Sequence, residues 1–349
     1  MPAFWTEADF DDHETVTLVR DRASGLTAIF AIHSTFLGPA AGGTRFWHYA
    51  DPALAMRDAL RLSRGMSYKN AMAGLPLGGG KAVILADANR VKSPELLAAF
   101  GRGIDRLGGS YVTAEDVGMS VADMIAISQQ TKFVAGLPAE GGEVGGDPGP
   151  HTSLGVFLGI KAAVRRALGK NSLVGLHIAL QGAGSVAGGV ARLAAAEGAT
   201  LSIADVDAGR VQRLAVETGA TIVSPDDILA LEADVLSPCA LGAILTEQAI
   251  AALNVPIVAG GANNQLATRA DGQRLADRGI LYAPDYVINA GGIINVSTEY
   301  VGDGNASLVR RRIEAIPGRL DTIWAESAAT GRDPAAVADA MAQKLIGRG

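Results

Sequence analysis

The chain has 349 residues, more than a single hydrophobic core usually holds and enough for two domains. Hydrophobic residues make up 48% and charged residues 19%, which excludes a disordered chain, while a net charge of −6 without any Lys/Arg cluster excludes a nucleic-acid footprint. No apolar run is long enough to span a bilayer, and the acidic segment 1–14 lacks the apolar core of a signal peptide, so a cytoplasmic protein without membrane partners is expected.

Cys239 is the single cysteine, which rules out an intrachain disulfide and agrees with a reducing compartment. The five histidines show no H-E-x-x-H or similar spacing, so no metal is expected. Glycine is abundant, at 44 residues, and points to tight turns and close approaches of the backbone to a ligand.

In chain order, residues 15–19 and 27–33 are β-rich runs separated by Ser24-Gly25. Residues 53–65 carry Leu54, Met56, Leu60 and Leu62 at helical spacing after Asp51-Pro52, a helix start. Residues 81–85 form a short buried-type strand behind a glycine run, 94–107 a second helix, and 111–113 a strand leading to Glu115 and Asp116. Segment 136–150 is rich in Gly, Pro and acidic residues and reads as the connection between two domains, with an ordinary surface loop as the alternative. A helix over 154–168 follows, then a strand–turn–helix–strand unit from 177 to 205. Short apolar strands come next at 221–223, 235–236, 257–258 and 281–282. That β–α alternation predicts an α/β protein with a parallel, doubly wound sheet. Residues 334–346 close the chain as an amphipathic helix capped by Asp333. The expected division is 1–135, with the last helix (334–349) packing back on it, and 136–333.

The clearest motif is Gly182-x-Gly184-x-x-Ala187, set between an apolar strand and an Ala/Leu-rich helix. Gly182 permits the tight turn, Gly184 leaves room for a pyrophosphate, Ala187 lets helix and strand pack closely, and the helix N-terminus at Ser185 and Val186 offers free N–H donors. The next strand ends at Asp205, and 205 − 182 = 23 residues, near the roughly 20 that place a carboxylate on the adenosine ribose. Asp207 adds negative charge nearby, so a 2′-phosphate is repelled and NAD is favoured over NADP.

The first domain holds three further features. Gly38-Pro-Ala-Ala41-Gly42-Gly43-Thr-Arg45 contains paired glycines able to present N–H groups to an anion. Lys69 and Lys81 flank a glycine run at 78–80, and Ala114-Glu-Asp116 ends a strand. Such a set suits amino-acid chemistry: a cation for the substrate carboxylate, a lysine that becomes a base when burial or another cation lowers its pKa, and an aspartate to move protons on nitrogen. Taken alone, a lysine reads as a solvated surface charge, but the glycine run beside Lys81 allows a ligand to approach it.

The motifs GPAAGGTR (38–45), GMSYKNAMAGLPLGGGKAVI (65–84), YVTAEDVG (111–118), LQGAGSVA (180–187), SPCALGAIL (237–245), GGANNQL (260–266) and YAPDYVINAGGIINV (282–296) stand in order over nearly the whole chain. In them the chain resembles the Glu/Leu/Phe/Val dehydrogenase family, in its leucine and phenylalanine dehydrogenase branch. The resemblance implies an N-terminal α/β oligomerisation domain, a C-terminal Rossmann domain and an active site in the cleft between them, in a homo-oligomer. It implies that Lys69 binds the substrate carboxylate with the backbone of Gly42 and Gly43, that Lys81 is the base that activates water, and that Asp116 relays protons on nitrogen. Asn263 is implied to hold the substrate amino group or the nicotinamide ribose, Thr152 and Asn289 to lie beside the nicotinamide, and Ala240 to line the adenosine pocket. Ala41, Ala114, Ile293 and Val296 are the implied side-chain pocket. They contain no basic residue, so a glutamate preference is not expected. Ala41 widens the pocket toward phenylalanine, whereas Ala114 and Ile293 favour aliphatic substrates. The expected activity is NAD-dependent oxidative deamination of leucine, valine or isoleucine to the 2-oxo acid and ammonia. The alternatives are a phenylalanine dehydrogenase and, in another class, a catalytically silent NAD-binding sensor.

Overall fold

Residues 26–34 form a strand buried on both faces, which sets the first sheet between two helical layers. The computed structural model describes residues 4–89, 91–138, 147–302 and 305–349. The chain divides into two units, one of Met1–Gly146 with Val296–Ala306 and Ala342–Gly349, the other of Asp147–Asn295 with Ser307–Met341. The boundary thus falls at 146/147 instead of 135/136, and 296–306 joins the first unit. Residues 342–349 do so too, while the start of the last helix does not. Most of the expected connection, 139–146, lies outside the described residues.

The first unit contains β1 (Thr15–Asp21), β2 (Leu26–Ser34), β3 (Ala40–Trp47), α1 (Pro52–Met72), β4 (Gly78–Leu85), α2 (Pro94–Asp105), β5 (Tyr111–Glu115) and α3 (Val121–Ser128). The strands form a sheet of order β1-β2-β4-β3-β5. Its β1–β2 and β2–β4 pairs are antiparallel, and β3 is parallel to both β4 and β5. Side chains alternate across it. Ala28, Phe30, Ile32, Ala82 and Ile84 pack with Phe100 and Ile104 of α2 and Met124 and Ile127 of α3. Ile29, Ala31 and Val83 pack with Ala55, Ala59 and Leu60 of α1. Lys81, two residues before Val83, therefore belongs to the α1 side.

Two expectations need correction here. Residues 40–47, read from the sequence as a glycine motif, are a central strand, so Gly42 and Gly43 are strand residues. Helix α1 extends to Met72 instead of ending at 65, which places Lys69 in its last turn. Ser67, Tyr68 and Asn70 are buried polar residues that hide the helical period of this stretch, and tertiary packing carries the helix through them.

The second unit begins with α4 (Gly149–Leu168), five residues before the expected start, and continues with β6 (His177–Gln181), α5 (Ser185–Ala196), β7 (Thr200–Ala204), α6 (Ala208–Thr218) and β8 (Thr221–Ile222). Next come β9 (Val235–Pro238), α7 (Glu247–Ala252), β10 (Ile257–Val258), α8 (Ala270–Asp277), β11 (Leu281–Tyr282) and α9 (Asp285–Ile288). The chain ends with α10 (Gly291–Val301), α11 (Ala306–Glu314), α12 (Ile316–Thr330) and α13 (Pro334–Leu345), of which α10, α11 and α13 cross the boundaries between the units. All pairings in this sheet are parallel, in the order β11-β10-β9-β6-β7-β8. That is the doubly wound order, with the switch point between β6 and β9. Among the described residues, no helix is long and apolar enough to cross a membrane.

Candidate active site

Lys81 and Asp116 meet because β4 and β5 flank the same strand. Lys81 Nζ pairs with Asp116 Oδ2 at 2.7 Å, the lysine side chain only 7% exposed and the aspartate 24%. Burial lowers the pKa of Lys81, Asp116 opposes that shift, and the Arg45 guanidinium reinforces it. Burial pushes Asp116 up, but Lys81 and Arg45 outweigh it and hold the carboxyl below its ordinary value. The pair thus offers a desolvated amine poised to lose its proton beside a carboxylate that stays ionised.

The strands around the pair are tied from below. Tyr111 donates its hydroxyl to Gly42 O at 2.6 Å, and the Thr44 and Thr113 hydroxyls share a hydrogen bond of 2.6 Å across β3 and β5. On the β4 side the register passes from Ala41 opposite Gly79 to Thr44 opposite Ala82, leaving Gly42 and Gly43 outside that ladder. Asn70 Nδ2 donates to Gly78 O at 2.6 Å, fixing the end of α1 on the glycine run one residue after half-buried Lys69. Ala41 is buried and Ala114 partly so, and β3 and β5 pair Gly43 with Ala114.

In the second unit, Gly182 adopts φ +109°, a conformation that penalises any side chain, and its missing Cβ would stand 3.1 Å from that of Ala240. Around Gly184 the corresponding space is open. Helix α5 begins at Ser185 without a side-chain cap, so its first N–H groups remain available to an anion, with Val186 in the first turn. Asp205 directly follows β7 and accepts the Ala183 N–H at 2.7 Å, which fixes its carboxylate beside the turn. A recess of about 200 Å³ opens there, lined in part by Ala183, Gly184 and Ser185 and by Arg210 and Arg213 of α6. A larger recess, about 630 Å³, lies near His177, Asp234, Pro256 and Ile280 at the strand N-termini, the wrong end of a doubly wound sheet for a nucleotide.

Asn289 follows α9 and donates Nδ2 to Asn263 Oδ1 at 2.7 Å and to Gly261 O at 3.1 Å. Among the described residues its own Oδ1, though buried, meets no hydrogen-bond donor, which suits it to one from a ligand. Thr152, on α4, donates to Pro148 O, and Gly292 lies against its hydroxyl. Ile293 and Val296 are partly exposed and three apart on α10, hence on one helix face. The open glycine turn, the uncapped helix, Asp205 and the orphaned Asn289 oxygen together fit a dinucleotide.

Sequence reasoning assigned no role to Arg45, Asp58 or Tyr49, although Arg45 closes one of the quoted motifs. The structure joins them to the Lys81 pair: Arg45 bonds both Asp116 and Asp58, and Tyr49 bonds Asp58. The thirteen-residue gap between Arg45 and Asp58 spans a strand and a helix, and no local spacing signals it.

Residues 13–133 match the sequence model of the Glu/Leu/Phe/Val dehydrogenase dimerisation domain, and residues 201–345 that of Glutamate/Leucine/Phenylalanine/Valine dehydrogenase. The chain is 46% identical to a leucine dehydrogenase of Bacillus subtilis (strain 168) over 338 residues, covering 97% of this chain and 92% of that one. It is 45% identical to a valine dehydrogenase of Streptomyces albus over 343 residues, covering 97% and 93%. The crystal structure of L-tryptophan dehydrogenase from Nostoc punctiforme superimposes with a TM-score of 0.84 at 41% identity, covering 96% of each chain. With both matched segments and a Lys81–Asp116 pair in place, the chain belongs to the Glu/Leu/Phe/Val dehydrogenase family and is an amino-acid dehydrogenase, an oxidoreductase.

Proposed function

We propose that the protein oxidatively deaminates branched-chain L-amino acids, leucine, valine and isoleucine, with NAD, giving the 2-oxo acid, ammonia and NADH. The observation that carries the reading is the buried Lys81 Nζ at 2.7 Å from Asp116, an amine whose burial lowers its pKa below the ordinary lysine value and so favours its action as a base. NAD, when bound, supplies the acceptor for the hydride leaving the substrate Cα. In this reading Gly182, Gly184, Ser185 and Val186 hold its pyrophosphate, Asp205 its adenosine ribose and Ala240 its adenosine. Thr152 and Asn289 stand beside the nicotinamide.

The protein's own groups handle charge and protons. Lys69 and the Gly42 and Gly43 backbone fix the substrate carboxylate, and Asn263 holds its amino group or the nicotinamide ribose. Lys81 takes a proton on Nζ from water as the water oxygen bonds to the iminium carbon. Asp116 takes a proton from the substrate ammonium before the hydride leaves and returns it to the nitrogen after water has added, so that the C–N bond breaks to release ammonia while the new hydroxyl gives its proton to Asp116 and the carbonyl forms. A neutral lysine in place of an ammonium also spares the cationic iminium a repulsion that would oppose its formation.

Ala41, Ala114, Ile293 and Val296 are proposed to shape the side-chain pocket. Identities of 46% to a leucine and 45% to a valine dehydrogenase favour aliphatic substrates. Small Ala41 and the likeness to an L-tryptophan dehydrogenase favour the aromatic alternative. The dimerisation-domain match supports a homo-oligomer. The test is the rate of NADH formation over L-leucine, L-valine, L-isoleucine and L-phenylalanine: efficiency should be highest on the branched-chain set, and absence of turnover on all four would reject the reading.

A further inference from the structure

Arg45 lies on β3 with its side chain 22% exposed, and its guanidinium holds two carboxylates at once. One terminal nitrogen donates to Asp58 Oδ2 at 2.9 Å and Nε donates to Asp116 Oδ2 at 3.2 Å. Asp58, on α1, is itself held: the Tyr49 hydroxyl donates to Oδ2 at 2.9 Å and Arg61 to Oδ1 at 3.1 Å. The Asp116 oxygen that accepts from Arg45 is the one that pairs with Lys81. A planar guanidinium anchored from two sides fixes a carboxylate more firmly than an ammonium on a flexible stem.

We infer that Arg45 is a positioning residue for the dehydrogenase reaction: anchored on Asp58, it fixes the Asp116 carboxylate and competes with Lys81 for the same oxygen. The inference rests on the proposed role of Lys81 as the base.

The consequence follows from charge. A carboxylate 2.7 Å away that served Lys81 alone would favour the ammonium, which cannot take a proton from water. Arg45 stays charged at every accessible pH, shares the negative charge of Asp116 and repels the ammonium directly. Asp58 acts in the opposite sense, since its negative charge favours the ammonium. Other titratable groups on the surrounding elements are Lys69 on α1, His33 on β2, Glu115 beside Asp116, and Tyr49. His33 is bound by Ser67, Asp11 and Arg348, with burial lowering its pKa, and burial raises that of Tyr49.

The experiment measures kcat/KM for L-leucine with saturating NAD across pH, in the full-length wild type and in Arg45→Gln, Asp58→Asn and Arg45→Lys. Activity that needs neutral Lys81 rises with pH, so the midpoint of the acid limb reports that residue. Arg45→Gln should move this midpoint up by about one pH unit. Asp58→Asn should move it down. Arg45→Lys keeps the charge and loses the fork, so its midpoint should stay near wild type while kcat falls more than KM changes. A merely structural role lowers the plateau without moving midpoints in opposite directions. An unmoved midpoint in Arg45→Gln, or an upward shift in Asp58→Asn, overturns the inference. If Arg45→Gln fails to fold, the Asp58→Asn and Arg45→Lys profiles decide it by the same signs. Wild-type turnover with immobile midpoints rejects this inference alone, whereas a wild type without turnover rejects the functional reading beneath it.

Discussion

Gly43 and Asp116 share a space that admits no methyl group: a Cβ on Gly43 would stand 2.9 Å from the Asp116 Cβ and 2.4 Å from Glu115 O. The end of β5 approaches β3 this closely, and Asp116 thereby reaches Lys81. Gly43→Ala should therefore push Asp116 away from the lysine and lower kcat at least about tenfold, with about 1–3 kcal/mol lost from stability by overpacking. Steady-state kinetics and denaturant midpoints measure both, and an unchanged kcat would separate Gly43 from the site.

Asp205 is proposed to govern the choice of dinucleotide. Its carboxylate is fixed by the Ala183 N–H at 2.7 Å and by the Asp207 N–H at 2.8 Å, and it stands where an adenosine ribose is expected. NAD should exceed NADP by about a hundredfold or more in kcat/KM, because a 2′-phosphate would meet this carboxylate at close range. Asp205→Ser should narrow the ratio, with Arg210 and Arg213 nearby to receive the phosphate. Equal efficiency of the two cofactors in the wild type would contradict the assignment.

Substrate preference is proposed to follow pocket volume. Ile293 and Val296, on one face of α10, are proposed as its branched walls. Relieving one of them with Ile293→Ala should raise phenylalanine relative to leucine, by a factor equivalent to about 1–3 kcal/mol. Ala41→Leu should lower that ratio. The ratio of kcat/KM for the two substrates in three proteins is the measurement, and a wild type already faster on phenylalanine would place the enzyme on the aromatic side.

Acid should destabilise the first unit in two stages. His13 is buried and bonded to Leu60 O at 3.0 Å and Ser63 Oγ at 2.9 Å, and burial lowers its pKa to about 4 from 6.5. The unfolded chain therefore binds a proton below pH 6.5 that the folded chain refuses. Stability is complete above about 6.5 and declines as pH falls toward 4, by about 3 kcal/mol from this group. Asp11, lowered to about 2 mainly by its hydrogen bond from His33, adds stability that is present above about 4 and lost as pH falls toward 2. Denaturant midpoints from pH 7 to 4 should fall in the wild type and fall less in His13→Gln. A flat wild-type profile over that range would contradict the burial of a neutral His13.

The dinucleotide turn is legible in the sequence because all its parts are local: glycine, glycine, alanine, then an aspartate 23 residues on. The sheet order is legible only as a class, since alternation predicts parallel strands without fixing which lie side by side. Strand β3 escapes detection because Gly42 and Gly43 carry no β signal, and its strand character comes from neighbours on both sides. Lys69 and Lys81 are recognisable through the motifs around them. Arg45 and Asp58 are not, since their bond depends on α1 lying on the sheet, a tertiary fact that no periodicity encodes.

Lys81 as the base is tested most directly by Lys81→Ala, through kcat for NADH formation from L-leucine together with the NAD dissociation constant. Removing the base should lower kcat by about a hundredfold to ten-thousandfold while NAD affinity stays near wild type, because the glycine turn belongs to the other unit. A variant that kept a large share of wild-type turnover would show that another group activates the water.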